Sequence, residues 1–172
     1  MKTILTIRKQ DFDPAAEVID SSDFSIRTAA RAVVIDKDGR VALLKVGLYS
    51  FHKLPGGGID EGEDTETALR REINEEIGCD VSDIEELGTV EEYIDHMRLR
   101  QTSYCFIAKQ IGEKGEPDFT EKELLHEFSI KWVSSIDEGI QTLKADTPTH
   151  ESERFILKRD LAILAEAKKK LN

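Results

Sequence analysis

The stretch from Leu54 to Cys79, LPGGGIDEGEDTETALRREINEEIGC, constrains the fold of this chain more than any other. Three consecutive glycines allow a close approach of backbone that side chains would block. After them, the spacing of apolar residues predicts a helix over roughly 65–77, with Leu69, Ile73 and Ile77 on one face. The sequence therefore predicts a glycine-rich turn that leads into a helix packed along a single stripe.

Carboxylates crowd the same predicted helix. Glu72, Glu75 and Glu76 occupy the arc that borders the apolar stripe, and Glu72 and Glu76 form a like-charged i,i+4 pair. A solvated acidic face is the ordinary explanation, although such a pair costs roughly a few tenths of a kcal/mol. Because these acids border the stripe instead of opposing it, we expect them at a groove. Hard cations such as Mg²⁺ and Mn²⁺ select clustered carboxylate oxygens, so the pattern predicts a divalent-cation site.

Other sites with glycine-rich, acidic or cysteine signatures do not fit this sequence. No GK[ST] follows the glycines, which excludes a P-loop, and the third glycine of GxGxxG is missing. The acidic segment from Asp60 lacks the glycine that an EF-hand loop requires at its sixth position. Cys79 and Cys105 lie in no CxxC pattern, so neither a zinc site nor a disulfide framework is expected.

The rest of the chain predicts one α/β domain over residues 1–172 with a mixed sheet. A length of 172 residues and a hydrophobic content of 39% fit a single globular domain. A charged, exposed loop is expected at 112–123. Strand patterns lie at 3–8, 30–46 (a hairpin), 49–54, 87–95, 100–111 and 126–134, and helical patterns at 135–145 and after Thr147 and Pro148, the predicted N-cap and first-turn proline.

The net charge of -11 limits the partners of this chain. It argues against a surface that neutralises a nucleic-acid polymer or an anionic membrane. A small phosphorylated ligand remains compatible, because a bound cation brings its own positive charge. No apolar run is long enough to span a bilayer and the N-terminus does not resemble a secretory signal, so we expect a cytoplasmic protein.

The stretch from Gly57 to Cys79 resembles the Nudix box, the signature G-x5-E-x7-R-E-U-x-E-E-x-G-U, in which U is a bulky aliphatic residue. The last position departs from the signature, but cysteine packs as a small hydrophobe. The LPGGG segment before the box is also typical of the family. The matching positions are Gly57, Glu63, Arg71, Glu72, Ile73, Glu75, Glu76 and Gly78.

This resemblance implies the Nudix fold, an α/β/α sandwich with a mixed β-sheet, and a hydrolase. Similar enzymes cleave a pyrophosphate bond in a nucleoside diphosphate linked to another moiety, using Mg²⁺ or Mn²⁺. By matching position, Glu72, Glu75 and Glu76 would bind the metal, and one of them would help to activate water. Arg71 would orient a box glutamate, and the carbonyl of Gly57 would be a further metal ligand.

Residues beside the box complete the candidate site. The resemblance makes Glu63 an outer ligand or a contact that holds the loop. Gly56, Lys53 and His52 precede the box and are candidates for supporting or substrate contacts, with a structural or solvent-facing role as the alternative for His52 and Lys53. Family members often add a carboxylate from outside the box, and the sequence does not decide between Glu121, Glu123 and Glu127.

Subfamily-specific residues outside the box reduce the range of candidate substrates. ADP-ribose-type members have a proline about 15 residues after the box, but here the first proline after it is Pro117. Dinucleoside-polyphosphate members have a tyrosine slightly further downstream than Tyr93. The upstream signature of coenzyme A-type members is also missing. A (deoxy)nucleoside triphosphate is therefore the first choice and a nucleotide sugar the second. The alternative is a non-catalytic Nudix-fold nucleotide-binding or regulatory module, which usually lacks box glutamates. Dimers are common among similar proteins, so a homodimer is one possible assembly.

Overall fold

Seven strands form a mixed sheet at the centre of the molecule. The structure, a computed structural model, describes residues 1–171. The strands are β1 (Thr3–Ile7), β2 (Ser25–Ile35), β3 (Val41–Val46), β4 (Phe51–Lys53), β5 (Asp80–Ile94), β6 (Leu99–Ile111) and β7 (Phe128–Val133). Their order is β1-β5-β6-β2-β3-β4, with β7 paired to β3. The pairs β1–β5 and β2–β6 are parallel and the others are antiparallel, so the predicted mixed sheet is confirmed.

Helices cover both faces of this sheet. They are α1 (Thr65–Ile77), α2 (Glu121–Leu125), α3 (Ile136–Ala145) and α4 (Glu151–Leu171). On one face, Leu69 and Ile73 of α1 pack in one hydrophobic cluster. On the other face, Leu143 of α3 packs with Phe155 and Ile163 of α4 in a second cluster. The predicted α/β/α sandwich is therefore confirmed. Within residues 1–171, no helix is long and apolar enough to cross a membrane.

Helix α1 begins and ends where the sequence predicts. The Asp64 carboxylate accepts a hydrogen bond from the Thr67 amide at 2.8 Å, which caps the first turn. Gly78 ends the helix in the left-handed conformation, at φ 66°. The stripe residues Leu69 and Ile73 are fully buried. Each buried side chain of this kind contributes roughly 1.5–3 kcal/mol, which outweighs the repulsion between neighbouring glutamates.

The predicted hairpin of β2 and β3 is present but opens soon after its turn. The two strands are in register at Ile35 and Val41 and then diverge. Farther along β2, the amide of Ala30 donates to the carbonyl of Gly57 at 3.0 Å. The segment 55–59 thus occupies the position beside β2 that β3 has left. The sequence did not predict this exchange, which brings the glycine-rich turn against the middle of a strand.

The predicted start of the last helix is wrong. Helix α4 begins at Glu151, so Thr147 is not its N-cap and Pro148 is not in its first turn. The side chain of Glu153 turns back and accepts a hydrogen bond from the amide of His150 at 3.0 Å. This carboxylate satisfies an amide at the helix start, a role that the sequence analysis gave to the threonine.

The charged loop predicted at 112–123 is partly ordered by α1. It ends at Thr120, the N-cap of α2, so the last three residues of the predicted loop are helical. The amide of Gly115 donates to the carbonyl of Gly78, and the amide of Asp118 to that of Glu75, both at 2.7 Å. The loop therefore ties the end of α1 to α2 across the surface of the molecule.

Candidate active site

A cavity of about 650 Å³ lies beside the glycine-rich segment. Strands β2 and β4 and helices α1, α2 and α4 contribute to its lining. Its charged residues are evenly divided in sign, although the whole chain is acidic. They are Arg27, Arg31, Lys53, Lys122 and Arg159 among the cations, and Glu72, Glu76, Glu92, Glu123 and Glu153 among the acids.

Glu76 is the most buried of the three predicted metal ligands. It is 2% exposed, and its carboxylate accepts hydrogen bonds from the Lys53 ammonium at 3.0 Å and from the Gly56 amide at 2.5 Å. Burial raises the pKa of Glu76 above its ordinary value, while Lys53 and the Gly56 amide oppose that shift. The structure thus joins three predicted site residues in one contact.

Glu72 lies directly against the backbone of the glycine-rich turn. A Cβ atom on Gly57 would come within 2.2 Å of the Oε2 atom of Glu72, so only glycine leaves room for this carboxylate. The Gly57 carbonyl accepts the Ala30 amide, which occupies one of its two lone pairs. Both Gly57 and Glu72 line the cavity.

Arg71 organises the remaining acids of the box. Its guanidinium donates two hydrogen bonds to Glu63, at 2.9 and 3.0 Å, one to Glu72 at 2.8 Å and one to Glu75 at 3.2 Å. A fifth hydrogen bond goes to the carbonyl of Gly58 at 3.0 Å. The bonds to Glu63 raise the pKa of Arg71 and hold the pKa of Glu63 below its usual value. We call Arg71, Glu63, Glu72 and Glu75 the box cluster. The sequence alone suggested that neighbouring acids of this helix repel each other, but in the structure each acid of the box cluster is paired with Arg71.

The other candidate residues separate into those at the cavity and those away from it. The amide of His52 donates to Asp146 at 2.7 Å and its ring nitrogen contacts the same carboxylate at 3.0 Å. His52 does not line the cavity, so its position favours a structural role. Among the three acids outside the box, Glu123 lines the cavity, whereas Glu121 and Glu127 do not.

The donor chemistry of this site fits a hard divalent cation, because carboxylate oxygens and a carbonyl are the ligands such ions prefer. The side chains are not yet arranged around one point. Among residues 1–171, no three His, Cys, Asp or Glu side chains converge as metal ligands. Arg71 holds Glu72, and Lys53 holds Glu76. An ionised carboxylate offers about four lone-pair sites, so these contacts leave acceptor positions on Glu72 and Glu76 for a metal ion.

A second group of charges was missed by the sequence analysis. Arg159 is 2% exposed and pairs with Asp160 at 2.7 Å and with Glu92 at 3.5 Å. Asp160 also accepts the amide of Leu54, immediately before the glycines, at 2.8 Å. Arg31 is 6% exposed and lines the same cavity. We call Arg31, Arg159, Glu92 and Asp160 the buried cluster.

The sequence carries a signal for both arginines of the buried cluster. Arg31 interrupts a run of small and β-branched residues, ARAVVI, that otherwise predicts a buried strand. Arg159 falls four residues after Phe155 and four before Ile163, on the apolar stripe of α4. A charge at a core position needs a partner or a ligand, which is the reason to examine it.

Comparison with known proteins shows the family of this chain. The NUDIX domain family model matches residues 25–152. An RNA pyrophosphohydrolase of Caulobacter vibrioides is 33% identical over 118 residues, which cover 58% of this chain and 67% of that protein. An 8-oxo-dGTP diphosphatase of Proteus vulgaris is 40% identical over 65 residues, which cover 36% of this chain and 58% of that protein.

Solved structures show the same fold. A MutT NUDIX hydrolase from Burkholderia pseudomallei matches with a TM-score of 0.52 and 26% identity, over 78% of this chain and 97% of that one. A MutT protein from Bacillus halodurans gives a TM-score of 0.56 at 24% identity, over 77% of this chain and 80% of that one. The chain belongs to the Nudix family and is a Nudix hydrolase. Enzymes of this family generally require divalent metal ions.

Proposed function

We propose that this chain is a divalent-metal-dependent pyrophosphohydrolase, with a (deoxy)nucleoside triphosphate as first substrate choice and a nucleotide sugar as second. The observation that carries the proposal is the meeting of Glu72, Glu76 and the glycine-rich turn in a cavity that also holds five cationic side chains. A dense anion needs such cations in an acidic protein. The relatives named RNA pyrophosphohydrolase and 8-oxo-dGTP diphosphatase support a polyphosphate substrate over a nucleotide sugar.

Within this proposal, Glu72, Glu75 and Glu76 would hold Mg²⁺ or Mn²⁺, with the Gly57 carbonyl as a further ligand. A bound divalent cation neutralises phosphate charge and lowers the pKa of coordinated water. Arg71 fixes the orientation of two of these carboxylates through its hydrogen bonds in the box cluster. Attack at phosphorus needs mainly positioning and electrostatic stabilisation, which such a rigid arrangement supplies.

Lys53 has a second role in this proposal. Its ammonium pairs with Glu76 in the structure and lines the cavity. With a metal ion on Glu76, Lys53 would also contact a phosphate oxygen of the substrate, which would compensate its charge.

Glu123 is our choice for the assisting carboxylate outside the box. Its Oε2 atom accepts hydrogen bonds from the amide and hydroxyl of Thr120, at 2.9 and 2.8 Å. This cap fixes the side chain at the cavity and leaves Oε1 available to accept a proton from the attacking water. Glu123→Gln should lower kcat without changing stability, whereas Glu121→Gln, on the same short helix but away from the cavity, should leave kcat unchanged. Equal rates in the two variants would remove Glu123 from the reaction.

The names of the relatives add the triphosphate end of an RNA as a further candidate substrate. The net charge of -11 predicted that no nucleic-acid polymer binds. Two exposed cations on the cavity lining, Arg27 and Lys122, are a local exception to that charge, and in this candidate they would contact further phosphates of the RNA. An RNA 5′ end therefore belongs in the substrate panel.

The test is a turnover panel with Mg²⁺, measured as release of phosphate or pyrophosphate. The panel holds canonical and oxidised triphosphates, nucleotide sugars, ADP-ribose, dinucleoside polyphosphates and a 5′-triphosphate RNA. We expect one preferred compound, no turnover in EDTA, and recovery with Mg²⁺ or Mn²⁺. Glu76→Gln is the inactive variant, and Glu66→Gln, at an exposed position of α1, is its matched control. Nucleotide binding without turnover of any compound would favour the non-catalytic binding module.

A further inference from the structure

Arg31 lies at a position of the fold where a charge is unusual. Its neighbours on β2, Ala30 and Ala32, pack in the cluster with α1. Because side chains alternate along a strand, Arg31 points to the opposite face of the sheet, the face covered by α4. There it lines the cavity together with Arg159 and Gly56. A Cβ on Gly56 would lie 2.9 Å from the Cα atom of Arg31, so the strand and the glycine turn are in direct contact.

The guanidinium of Arg31 is buried without a full set of partners. Among the described residues, no acceptor lies within hydrogen-bonding distance of its Nε atom. The carboxylates of the buried cluster, Glu92 and Asp160, are paired with Arg159 instead. The third nearby carboxylate, Glu76, is paired with Lys53. Glu92 and Asp160 therefore share one cation, and within residues 1–171 none of the three acids forms an ion pair with Arg31.

The charge of Arg31 persists despite this environment. Burial, and then the nearby charge of Arg159, lower the pKa of Arg31 to about 10. A group with that pKa is still protonated at neutral pH. A buried cation without a hydrogen-bonded partner destabilises a folded protein, and the charges of Asp160, Glu76 and Glu92 offset only part of that cost for Arg31. An anion that enters the cavity would supply the missing acceptor and offset that cost.

We propose that Arg31 is a substrate-binding residue that donates to a phosphate oxygen of the substrate through the terminal amino groups of its guanidinium. The identity of the anion as a phosphate rests on the function proposed above. The guanidinium fork suits a phosphate, which accepts two parallel hydrogen bonds. Lys53 and Arg27 line the same cavity, so the anion meets further positive charge on entry.

The experiment uses inorganic pyrophosphate as the probe and isothermal titration calorimetry on the full chain, once in EDTA and once with Mg²⁺. We compare the wild type with Arg31→Met, Arg31→Lys and the matched control Arg70→Met. Arg70 is an exposed arginine of α1 that lies outside the cavity. We expect Arg31→Met to weaken pyrophosphate binding by about tenfold or more, and the control to bind like the wild type. Arg31→Lys should fall between them, because it keeps the charge and loses the fork.

Thermal unfolding distinguishes substrate binding from a structural role. If Arg31 serves the ligand, Arg31→Met should lower the Tm less than Arg159→Met does, because no carboxylate loses an ion-pair partner within 4 Å. If Arg31 serves as a structural counter-ion, Arg31→Met lowers the Tm as much as Arg159→Met does and Arg31→Lys retains the full pyrophosphate affinity. That second pattern would overturn the proposal. So would wild-type affinity in Arg31→Met, or a wild type that binds pyrophosphate in neither buffer.

Failure of this inference can be told apart from failure of the proposed function. If Arg31→Met turned over a panel compound with unchanged KM and unchanged pyrophosphate affinity, the enzymatic proposal would be kept and the role of Arg31 in substrate binding would be rejected. Arg31-dependent pyrophosphate binding without turnover of any compound would keep the anion site and reject the enzymatic proposal.

Discussion

The box cluster and the buried cluster place arginines among carboxylates on either side of the same glycine-rich turn, but they balance charge in opposite ways. In the box cluster, Arg71 uses all five of its hydrogen bonds on glutamates and one carbonyl. In the buried cluster, Arg159 takes both carboxylates, and Arg31 has a buried donor without a partner. The arginine of the box cluster therefore has a partner for every donor, whereas in the buried cluster only one of the two arginines is paired with carboxylates.

This difference distinguishes arginines that hold the site together, Arg71 and Arg159, from Arg31, for which we propose a ligand. Arg71 is partly exposed, so water compensates for any imperfect contact. Arg31 and Arg159 have no such compensation, because both are almost fully buried. A buried cation therefore needs either a protein partner, as Arg159 has, or a ligand, as we propose for Arg31. Substitutions that remove one arginine at a time can break or sharpen this comparison.

The largest expected effect is that of Arg159→Met. Removal of this guanidinium leaves Asp160 and Glu92 buried without their cation, and breaking a buried pair in this way costs about 3–5 kcal/mol. Urea denaturation should show that loss in the free energy of unfolding. The control is Lys158→Met on the same helix, whose partly exposed pair with Asp11 is worth about 1 kcal/mol or less. If Arg31→Met were as destabilising as Arg159→Met, both arginines would be structural and the comparison would fail.

The next largest effect is expected on the catalytic rate, from a substitution in the glycine-rich turn between the two clusters. In Gly57→Ala the new Cβ must push away the Glu72 carboxylate, which is the flexible end of a side chain, so the fold should survive. Displacement of a reacting group by about 1 Å lowers rates by about 100-fold, and we expect kcat to fall by that order. Steady-state kinetics with the preferred substrate measure the change.

Gly112→Ala is the control for Gly57→Ala. It lies in an open turn at φ +68°, with nothing within 4 Å of an added Cβ. The left-handed conformation costs a non-glycine residue about 1–2 kcal/mol, so stability should fall while kcat stays the same. Wild-type kcat in Gly57→Ala would show that the position of Glu72 against the turn is not needed for the reaction.

Much of the architecture could be predicted from local patterns. The limits of α1 follow from an apolar stripe, an aspartate cap and a left-handed glycine, all of which lie within the sequence of the helix itself. The box residues could be named because their spacing is fixed within one continuous segment. The start of α4 was predicted three residues too early, since Glu153 replaces Thr147 as the source of the capping oxygen.

The rest depends on contacts between distant segments. Divergence of β2 from β3, with the segment 55–59 taking its place, is a tertiary event that no local pattern encodes. For the same reason, the pairing of Glu76 with Lys53 and the burial of Arg31 could not be predicted from spacing. The sequence showed an unusual charge within a strand, but the absence of a partner for its Nε atom is visible only in three dimensions.

The smallest of the expected effects tests the box cluster itself, through Arg71→Lys. Lysine keeps the positive charge but is a point donor, so it loses the two parallel bonds to Glu63 and reaches fewer of the other acceptors. We expect a loss of about 1–2 kcal/mol in the free energy of unfolding, measured by urea denaturation. Arg70→Lys, which alters a single exposed pair with Glu66, should cost less than about 0.5 kcal/mol. Equal losses in the two variants would mean that Arg71 contributes only its charge, and that the geometry of its five hydrogen bonds does not hold the cluster together.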